Sequence, residues 1–216
     1  MQEEPSSVEG IRSSYDRVAD AYASAIFDEL KHKPFDCELL LRFARETEGR
    51  GRVCDMGCGP GQVARFLHQA GADVFGLDLS PGMVAEALRL NPGIEFREGN
   101  MLALKLADNE LAGIATFYAI VNLSADLRLR SFREMARVLQ RGGLLLLTFH
   151  VGGETLDVSE LWGRPITMNF YLLDREAILR DLVMTGFVIE ECLERDPYPR
   201  PIEHQSRRAY VFARKT

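Results

Sequence analysis

The feature that most constrains this chain is a glycine-rich turn set between an apolar run and a helical pattern, at residues 53–64. Residues 53–56 (VCDM) indicate a short buried strand, and Gly57, Gly59 and Gly61 follow at alternate positions. Glycine lets a backbone bend tightly and lets a ligand approach it closely. Pro60 has no N–H and a φ suited to a first helical turn. The order strand, glycine turn, helix predicts a ligand-binding turn in an α/β sheet.

Strand and helix patterns alternate along the rest of the chain. Apolar spacing and capping residues predict helices over 8–26, from Pro34 to before Gly49, over 60–70, from Pro81 to about Leu90, from Ser124 to Gln140 and from Asp174 to about Met184. Strands are expected at 53–56, 73–79, 94–97, 111–118, 144–149, 186–194 and 207–214. The alternation predicts a doubly wound, mostly parallel seven-stranded α/β sheet with helices on both faces. The final two strands have no helix between them, so the last strand is expected to be antiparallel.

Length and composition favour one globular domain, since the chain has 216 residues of which 46% are hydrophobic. The formal net charge of −6 gives no bulk attraction to nucleic acid or anionic lipid. No apolar run is long enough for a membrane span, and the acidic start has no secretory signal, so we expect a cytoplasmic protein. Of the four cysteines, Cys54 and Cys58 form a Cys-x3-Cys pair without nearby histidines, which predicts two buried or turn thiols and no metal site.

Two segments outside the alternating pattern are expected to complete the domain. Residues 1–48 predict a helical cap integral to it, with a frayed tail over 1–7, and residues 49–216 form the main unit. Residues 151–172 are too long for an ordinary connection and predict an insertion on the substrate side. Trp162 and a short strand within 166–172 give this insertion an aromatic and apolar surface. That surface suits a lid over a small aromatic or aliphatic substrate, and it is equally compatible with ordinary packing or a homodimer contact.

Two ligand classes compete for the glycine turn. A dinucleotide fingerprint is G-x-G-x-x-G, whereas here the third glycine, Gly61, comes one residue early. Asp55 would repel a pyrophosphate, and Pro60 removes one N–H from an anion cradle. A ligand carrying positive charge fits better, and S-adenosylmethionine carries an ammonium and a sulfonium.

The motif residues themselves carry a family resemblance. Asp55-Met56-Gly57-Cys58-Gly59-Pro60-Gly61 resembles the first motif of the Rossmann-like S-adenosylmethionine-dependent methyltransferases. Gly76-Leu77-Asp78-Leu79-Ser80 is similar to the next motif, in which the acidic residue accepts hydrogen bonds from the ribose hydroxyls. The third motif of the family usually contains Gly-Asp, and here it reads Gly99-Asn100-Met101. The side-chain carbonyl of Asn100 can still accept a hydrogen bond from the adenine amino group, as an Asp carboxylate would. The resemblance covers about residues 45–215 and implies the small-molecule type of methyltransferase.

The resemblance also implies which residues bind the cofactor. Tyr15 and Tyr22 lie in a stretch similar to the N-terminal helix of many relatives, where an aromatic hydroxyl often reaches the methionine carboxylate. Packing of both rings on the core is the alternative interpretation. The full set of expected cofactor-binding residues is Tyr15, Tyr22, Asp55, Gly57, Cys58, Gly59, Gly61, Asp78, Leu79, Met83, Asn100, Met101, Leu102 and Phe117.

Candidate catalytic residues lie where strands end, because open α/β sheets bind ligands at the carboxyl ends of their strands. Tyr118 closes the fourth strand and His150 the fifth. His150 is the best candidate for a general base because its ordinary pKa of about 6.5 suits neutral pH, and a capping or orienting role is the alternative. His204 is expected to be solvated, and Arg207–Arg214 is expected to be a solvated edge strand.

Three other functions compete with methyl transfer to a small molecule. A nicotinamide-dependent oxidoreductase is disfavoured by the glycine spacing and by Asp55. A non-catalytic module that binds the cofactor or a partner stays open, because fold does not fix function. RNA methylation is disfavoured by the acidic balance, and the fourth strand lacks the Asn-Pro-Pro-Tyr type motif of DNA amino-group methyltransferases.

Overall fold

The fold is a seven-stranded sheet between helices with a separate two-stranded hairpin, seen in a computed structural model that describes residues 7–216. The α-helices are α1 (Val8–Ile26), α2 (Pro34–Thr47), α3 (Gln62–Gln69), α4 (Pro81–Leu90), α5 (Ala125–Val138) and α6 (Arg175–Met184). Two short 3₁₀ helices cover Glu29–His32 and Ala119–Asn122. The strands are β1 (Val53–Met56), β2 (Val74–Asp78), β3 (Glu95–Glu98), β4 (Leu111–Phe117), β5 (Leu139–His150), β6 (Thr155–Leu161), β7 (Arg164–Tyr171), β8 (Phe187–Arg195) and β9 (Arg208–Lys215).

The strand order in the main sheet is β3-β2-β1-β4-β5-β9-β8. The first five strands in this order, β3, β2, β1, β4 and β5, are parallel to their neighbours. Strand β9 runs antiparallel to both β5 and β8. The chain winds outward from β1 to β3 and then returns to place β4 on the other side of β1. This reversal between β1 and β4 is the point at which open α/β sheets bind ligands. The predicted fold class is confirmed.

Both faces of the sheet are covered, as the apolar strands require. Leu145 and Leu147 of β5 pack in one core cluster with residues of α5 and α6. Leu144 and Leu146 point the other way, into a cluster with residues of α2, α3 and α4. Successive side chains of a strand alternate between faces, so a run of four leucines fills two cores.

The helices begin where capping side chains supply an acceptor. The Ser80 and Asp174 side chains accept from the N–H groups of Met83 and Ala177, at the starts of α4 and α6. The Ser7 side chain accepts from the N–H of Gly10, so Ser7 caps α1 and is not part of a frayed tail. The rest of that predicted tail, residues 1–6, lies outside the described residues.

Two expectations about strands need correction. The 151–172 segment contains a two-stranded hairpin, β6 and β7, of which the sequence predicted only the second strand. The last strand, β9, is not a solvated edge strand, because it lies between β5 and β8 and its residues 208–213 are buried. Arg208 is only 2% exposed and pairs with the buried carboxylate of Glu203, which is how a charged residue occupies an interior strand. Of the helices described in residues 7–216, none could cross a membrane.

Candidate functional site

A cleft-shaped cavity lies at the carboxyl ends of β1, β2 and β4, and its empty space, with the part open to solvent included, is about 750 Å³. The helix α1 forms one wall, and the 3₁₀ helix Ala119–Asn122 forms another. The lining residues are Val8, Ile11, Tyr15, Tyr22, Gly57, Gly59, Leu77, Asp78, Leu79, Met83, Gly99, Asn100, Met101, Leu102, Phe117, Tyr118, Ala119, Asn122 and Leu123. A concave, mostly apolar site with a few polar groups is typical of small-molecule and cofactor binding.

The glycine turn faces the cavity at Gly57 and Gly59 and packs against the core at Gly61. Gly57 has a φ of 73°, and a Cβ there would come within 2.3 Å of the Cβ of Ala119. Any side chain at this position would therefore collide with the start of the 3₁₀ helix Ala119–Asn122, which packs directly against the turn. Gly61 faces away, since a Cβ there would lie 2.7 Å from Asn91 and Phe96. Gly61 and the buried Cys58 do not line the cavity, contrary to expectation.

Asp55 does not line the cavity either. Its carboxylate lies under the turn, where Oδ2 accepts the N–H of Ala64 at 2.8 Å and satisfies the start of α3. Burial raises the pKa of Asp55 to about 7, with the charge of Asp78 as a smaller contribution. Because the Asp55 carboxylate is bonded to the Ala64 N–H and does not face the cavity, its expected role of selecting a cationic ligand by direct contact is not supported.

Asp78 ends β2 and faces the cavity. Its Oδ2 accepts the N–H of Gly59 at 2.8 Å, and its Oδ1 accepts the N–H of Ser80 at 2.9 Å. These two bonds join the glycine turn to the start of α4. Each carboxylate oxygen has a second acceptor position, so the group can still receive two hydroxyl donors.

Asn100 occupies the neighbouring position at the end of β3 and also lines the cavity. Its Oδ1 accepts the N–H of Leu102 at 2.9 Å, which fixes the side chain in a local turn. Met101 and Leu102 line the cavity beside it, as do Leu79, Met83 and Phe117. The sequence motifs therefore converge on one place in the structure.

Both tyrosines of α1 line the cavity. The Tyr15 hydroxyl donates to Oδ1 of Asn122 at 2.7 Å, across the cavity from α1. Burial raises the pKa of Tyr15 above its ordinary value, so the phenol stays protonated at neutral pH. Tyr22 approaches Gly59 and packs edge-on against Tyr15, with ring centroids 6.1 Å apart. The two expected roles, ligand contact and core packing, are therefore not exclusive.

The two candidate catalytic residues contact each other, but only Tyr118 lines the cavity. The His150 ring stacks on the Tyr118 ring with centroids 4.8 Å apart, and its Nδ1 lies 2.9 Å from the Ser206 hydroxyl. Burial, together with the charge of Arg208 nearby, lowers the pKa of His150 to about 3. The expectation that His150 has a pKa suited to general-base catalysis at neutral pH is wrong, because the imidazole scarcely holds a proton in this environment.

The sequence missed several lining residues for different reasons. Val8 and Ile11 share one helical face with Tyr15 and Tyr22, so their spacing could have identified them. Asn122 could not be identified, because its position depends on the backbone reversal at Tyr118, which has a φ of 56°. A non-glycine residue in this left-handed region has no reliable sequence signal. Among the described residues there is no group of three metal-ligating side chains.

Comparisons with known proteins find methyltransferases. Residues 53–143 match the family model for a methyltransferase domain. A malonyl-[acyl-carrier protein] O-methyltransferase of Enterobacter lignolyticus is 27% identical over 88% of this chain and 73% of its own length. A homologue with the same name from Pectobacterium atrosepticum is 30% identical, over 72% and 59%. A demethylmenaquinone methyltransferase of Renibacterium salmoninarum is 33% identical, over 63% and 61%. This chain thus spans less than two thirds of the last two relatives.

Solved structures share the fold at low sequence identity. A complex of DhpI with SAH has a TM-score of 0.72 at 18% identity and covers 96% of both chains. The [4+2]-cyclase SpnF has a TM-score of 0.71 at 20% identity and covers 99% of both chains. Together with the cavity and the glycine turn, these matches support a Rossmann-like methyltransferase with S-adenosylmethionine as its cofactor.

Proposed function

We propose that this protein transfers a methyl group from S-adenosylmethionine to a small-molecule acceptor. The observation that carries the proposal is the convergence of Gly57, Asp78 and Asn100 on one cavity between α1 and the sheet. The expected division of the chain, a helical cap over 1–48 on a methyltransferase domain over 49–216, is part of the proposal.

The residues of the cavity fit the cofactor. The absence of a Cβ at Gly57 lets Ala119 pack directly against the turn, and at Gly59 a Cβ would meet only the Tyr22 ring, at 3.7 Å, so the backbone there is open to a ligand. Asp78 offers carboxylate lone pairs to the ribose hydroxyls, and the Asn100 carbonyl can accept from the adenine amino group. Met101 and Leu102 offer apolar surface beside Asn100. We assign Gly57 and Gly59 to the methionine end.

The chain has few chemical tasks beyond binding. The bound cofactor supplies an activated methyl group on a sulfonium. The protein must hold the acceptor close to it and exclude water. We propose that Tyr118 contacts the acceptor and that His150, neutral and stacked on its ring, holds Tyr118 in place. The orienting role of His150 replaces the role of general base.

The acceptor is stated only as a small molecule. The relatives carry names that refer to a malonyl group on a carrier protein and to demethylmenaquinone, which are chemically different acceptors. The net charge of −6 disfavours RNA as substrate. We further propose a cytoplasmic location. Trp162 is 45% exposed, and a homodimer contact there remains the alternative to a lid, which sedimentation of the protein alone would test.

The cofactor assignment can be tested by calorimetric titration with S-adenosylhomocysteine. The Asp78→Ala variant should bind it about tenfold more weakly, a loss of about 1.4 kcal/mol for the ribose bonds. Asp73→Ala is the matched control, because it removes the same charge at the opposite end of β2, where the side chain is exposed. Equal affinity of the Asp78 variant and the wild type would overturn the assignment.

Turnover needs a second experiment. Labelled cofactor should transfer methyl groups to at least one member of a panel of phenols, amines, thiols and carboxylic acids. A protein that binds S-adenosylhomocysteine normally but methylates nothing across such panels would favour the non-catalytic module.

A further inference from the structure

Asn122 joins three parts of the molecule at the cavity wall. It ends the 3₁₀ helix that follows β4, it lines the cavity, and it is only 2% exposed. Its Oδ1 lies 2.7 Å from the Tyr15 hydroxyl of α1. Its Nδ2 lies 2.7 Å from the carbonyl oxygen of Asn169 in β7. A buried amide with both ends hydrogen-bonded to other segments has a fixed orientation.

The directions of these two bonds follow from chemistry. A backbone carbonyl can only accept, so the amide nitrogen of Asn122 must face Asn169. The amide oxygen must then face Tyr15, and this oxygen can only accept. The Tyr15 hydroxyl therefore donates its single proton to Asn122. What it can still offer to the cavity is an oxygen lone pair, which accepts a hydrogen bond and cannot donate one.

We propose that Asn122 is a positioning residue that makes Tyr15 a hydrogen-bond acceptor toward the cofactor, so that Tyr15 recognises a donor group and not the methionine carboxylate. The inference rests on the proposed function. It departs from the role that the family resemblance suggests for Tyr15.

The test compares two ligands that differ only in the carboxylate. S-adenosylhomocysteine and its decarboxylated analogue, 5′-deoxy-5′-(3-aminopropylthio)adenosine, are titrated into the wild type and into Tyr15→Phe. The variant should bind both ligands more weakly by the same factor, about fivefold. A loss seen with S-adenosylhomocysteine and absent with the analogue would show donation to the carboxylate and would overturn the inference. Unchanged binding of both ligands would also overturn it.

The role of Asn122 is tested by a double-mutant cycle. Asn122→Ala should weaken binding of S-adenosylhomocysteine to a similar extent, and adding Tyr15→Phe should cause little further loss, because Asn122 acts through Tyr15. Ser14→Ala is the matched control. The Ser14 hydroxyl accepts from the N–H of Thr167 and donates to its carbonyl oxygen, which joins α1 to β7. The substitution therefore removes a contact of α1 at a residue that does not line the cavity.

The control separates positioning from general loosening of the helix. Ser14→Ala should lower the melting temperature yet leave the affinity within about twofold of wild type. Equal loss of affinity in the Ser14 and Asn122 variants would contradict the positioning role. A wild type that fails to bind S-adenosylhomocysteine would contradict the proposed function instead. In that case, thermal unfolding without ligand of the wild type, the two single variants and the double variant still tests the hydrogen bond between Tyr15 and Asn122. Losses of stability that add up in the double variant would overturn the inference.

Discussion

Asp55 shows how one residue of the glycine motif works from beneath the site. The helix α3 begins after Gly61, which has no side chain to cap it. The carboxylate of Asp55 reaches from β1 and accepts the N–H of Ala64, so the strand supplies the cap that the turn lacks. Asp55 is 1% exposed, and its burial raises its pKa to about 7. The Asp55 carboxylate therefore stabilises the glycine turn and does not face the cavity.

This raised pKa predicts a specific dependence of stability on pH. The folded protein binds the Asp55 proton more tightly than the unfolded chain, whose aspartate pKa is about 3.9. Between about pH 4 and pH 7 the folded state therefore holds more protons, and stability falls as pH rises. The upper limit of this loss is about 4 kcal/mol, from a difference of roughly three pKa units.

The Asp55→Asn variant isolates this effect, because the amide oxygen can still accept from Ala64 and carries no charge. We expect the variant to melt at about the same temperature as the wild type at pH 5 and at a higher temperature at pH 8. Thermal unfolding of both proteins across this range is the measurement. Parallel curves, with a constant difference at every pH, would mean that Asp55 does not titrate in the folded protein as described.

At the scale of elements, the hairpin of β6 and β7 reaches the cavity through aromatic rings. Its turn residues Trp162 and Gly163 have φ values of 48° and 76°, as a tight two-residue hairpin turn requires. The Trp162 ring packs edge-on against Tyr22, with centroids 5.2 Å apart. Tyr22 in turn lines the cavity. A ligand that moves the Tyr22 ring would therefore also change the surroundings of Trp162.

Trp162 is the single tryptophan of the chain, so its fluorescence reports on the hairpin alone. We expect saturating S-adenosylhomocysteine to change its emission, because a ligand beside Tyr22 alters the ring on which Trp162 packs. The variant Tyr22→Leu, titrated to saturation, should lose most of this change, whereas Tyr22→Phe should keep it. An equal response in the wild type and the leucine variant would exclude coupling through Tyr22.

The elements also show where sequence patterns are sufficient. The strands β1, β2 and β4 are buried on both faces, so their apolar runs identify them. The strand β6 is half exposed and polar, and only its pairing with β7 makes it a strand. The arginines of β9 suggested a solvated edge, but Arg208 is neutralised by a partner that only the tertiary fold brings close.

The site follows the same division. Asp78 and Asn100 follow directly from strands, so their place at the cavity could be predicted from the order of the chain. Asn122 and the low pKa of His150 depend on the surroundings that several segments create together. Sequence patterns place residues at strand ends, whereas burial and charge at those ends are properties of the assembled fold.

At the scale of the whole molecule, a buried cluster of charges ties the C-terminal strands to α2. Glu203 lies between the guanidinium groups of Arg195 and Arg208, at 2.5 and 3.3 Å, with Lys33 at 3.7 Å. Arg195 also pairs with Asp36 of α2 at 3.0 Å. Burial tends to raise the pKa of Glu203, but the hydrogen bond from Arg195 and the other charges outweigh it, so the net pKa is lowered. The carboxylate is therefore ionised at neutral pH.

Removal of Glu203 should destabilise the whole domain. The Glu203 side chain is 2% exposed, and Glu203→Ala would leave three cations without this shared partner. Breaking a buried ion pair in this way costs about 3–5 kcal/mol. For a chain of this length, such a loss lowers the melting temperature by about 10 °C. Urea unfolding and thermal unfolding measure the two quantities independently.

Two further variants complete this prediction. Glu176→Gln removes a carboxylate that pairs with Arg175 on the surface, where both side chains are largely exposed, and should change the melting temperature little. Glu203→Gln keeps an acceptor for the N–H of Tyr198 and for Arg195, so its loss should lie between those of the other two variants. If Glu203→Ala were no less stable than Glu176→Gln, the cluster would not hold the C-terminal strands on α2. The order Glu176→Gln, Glu203→Gln, Glu203→Ala in increasing loss thus follows from burial and charge alone.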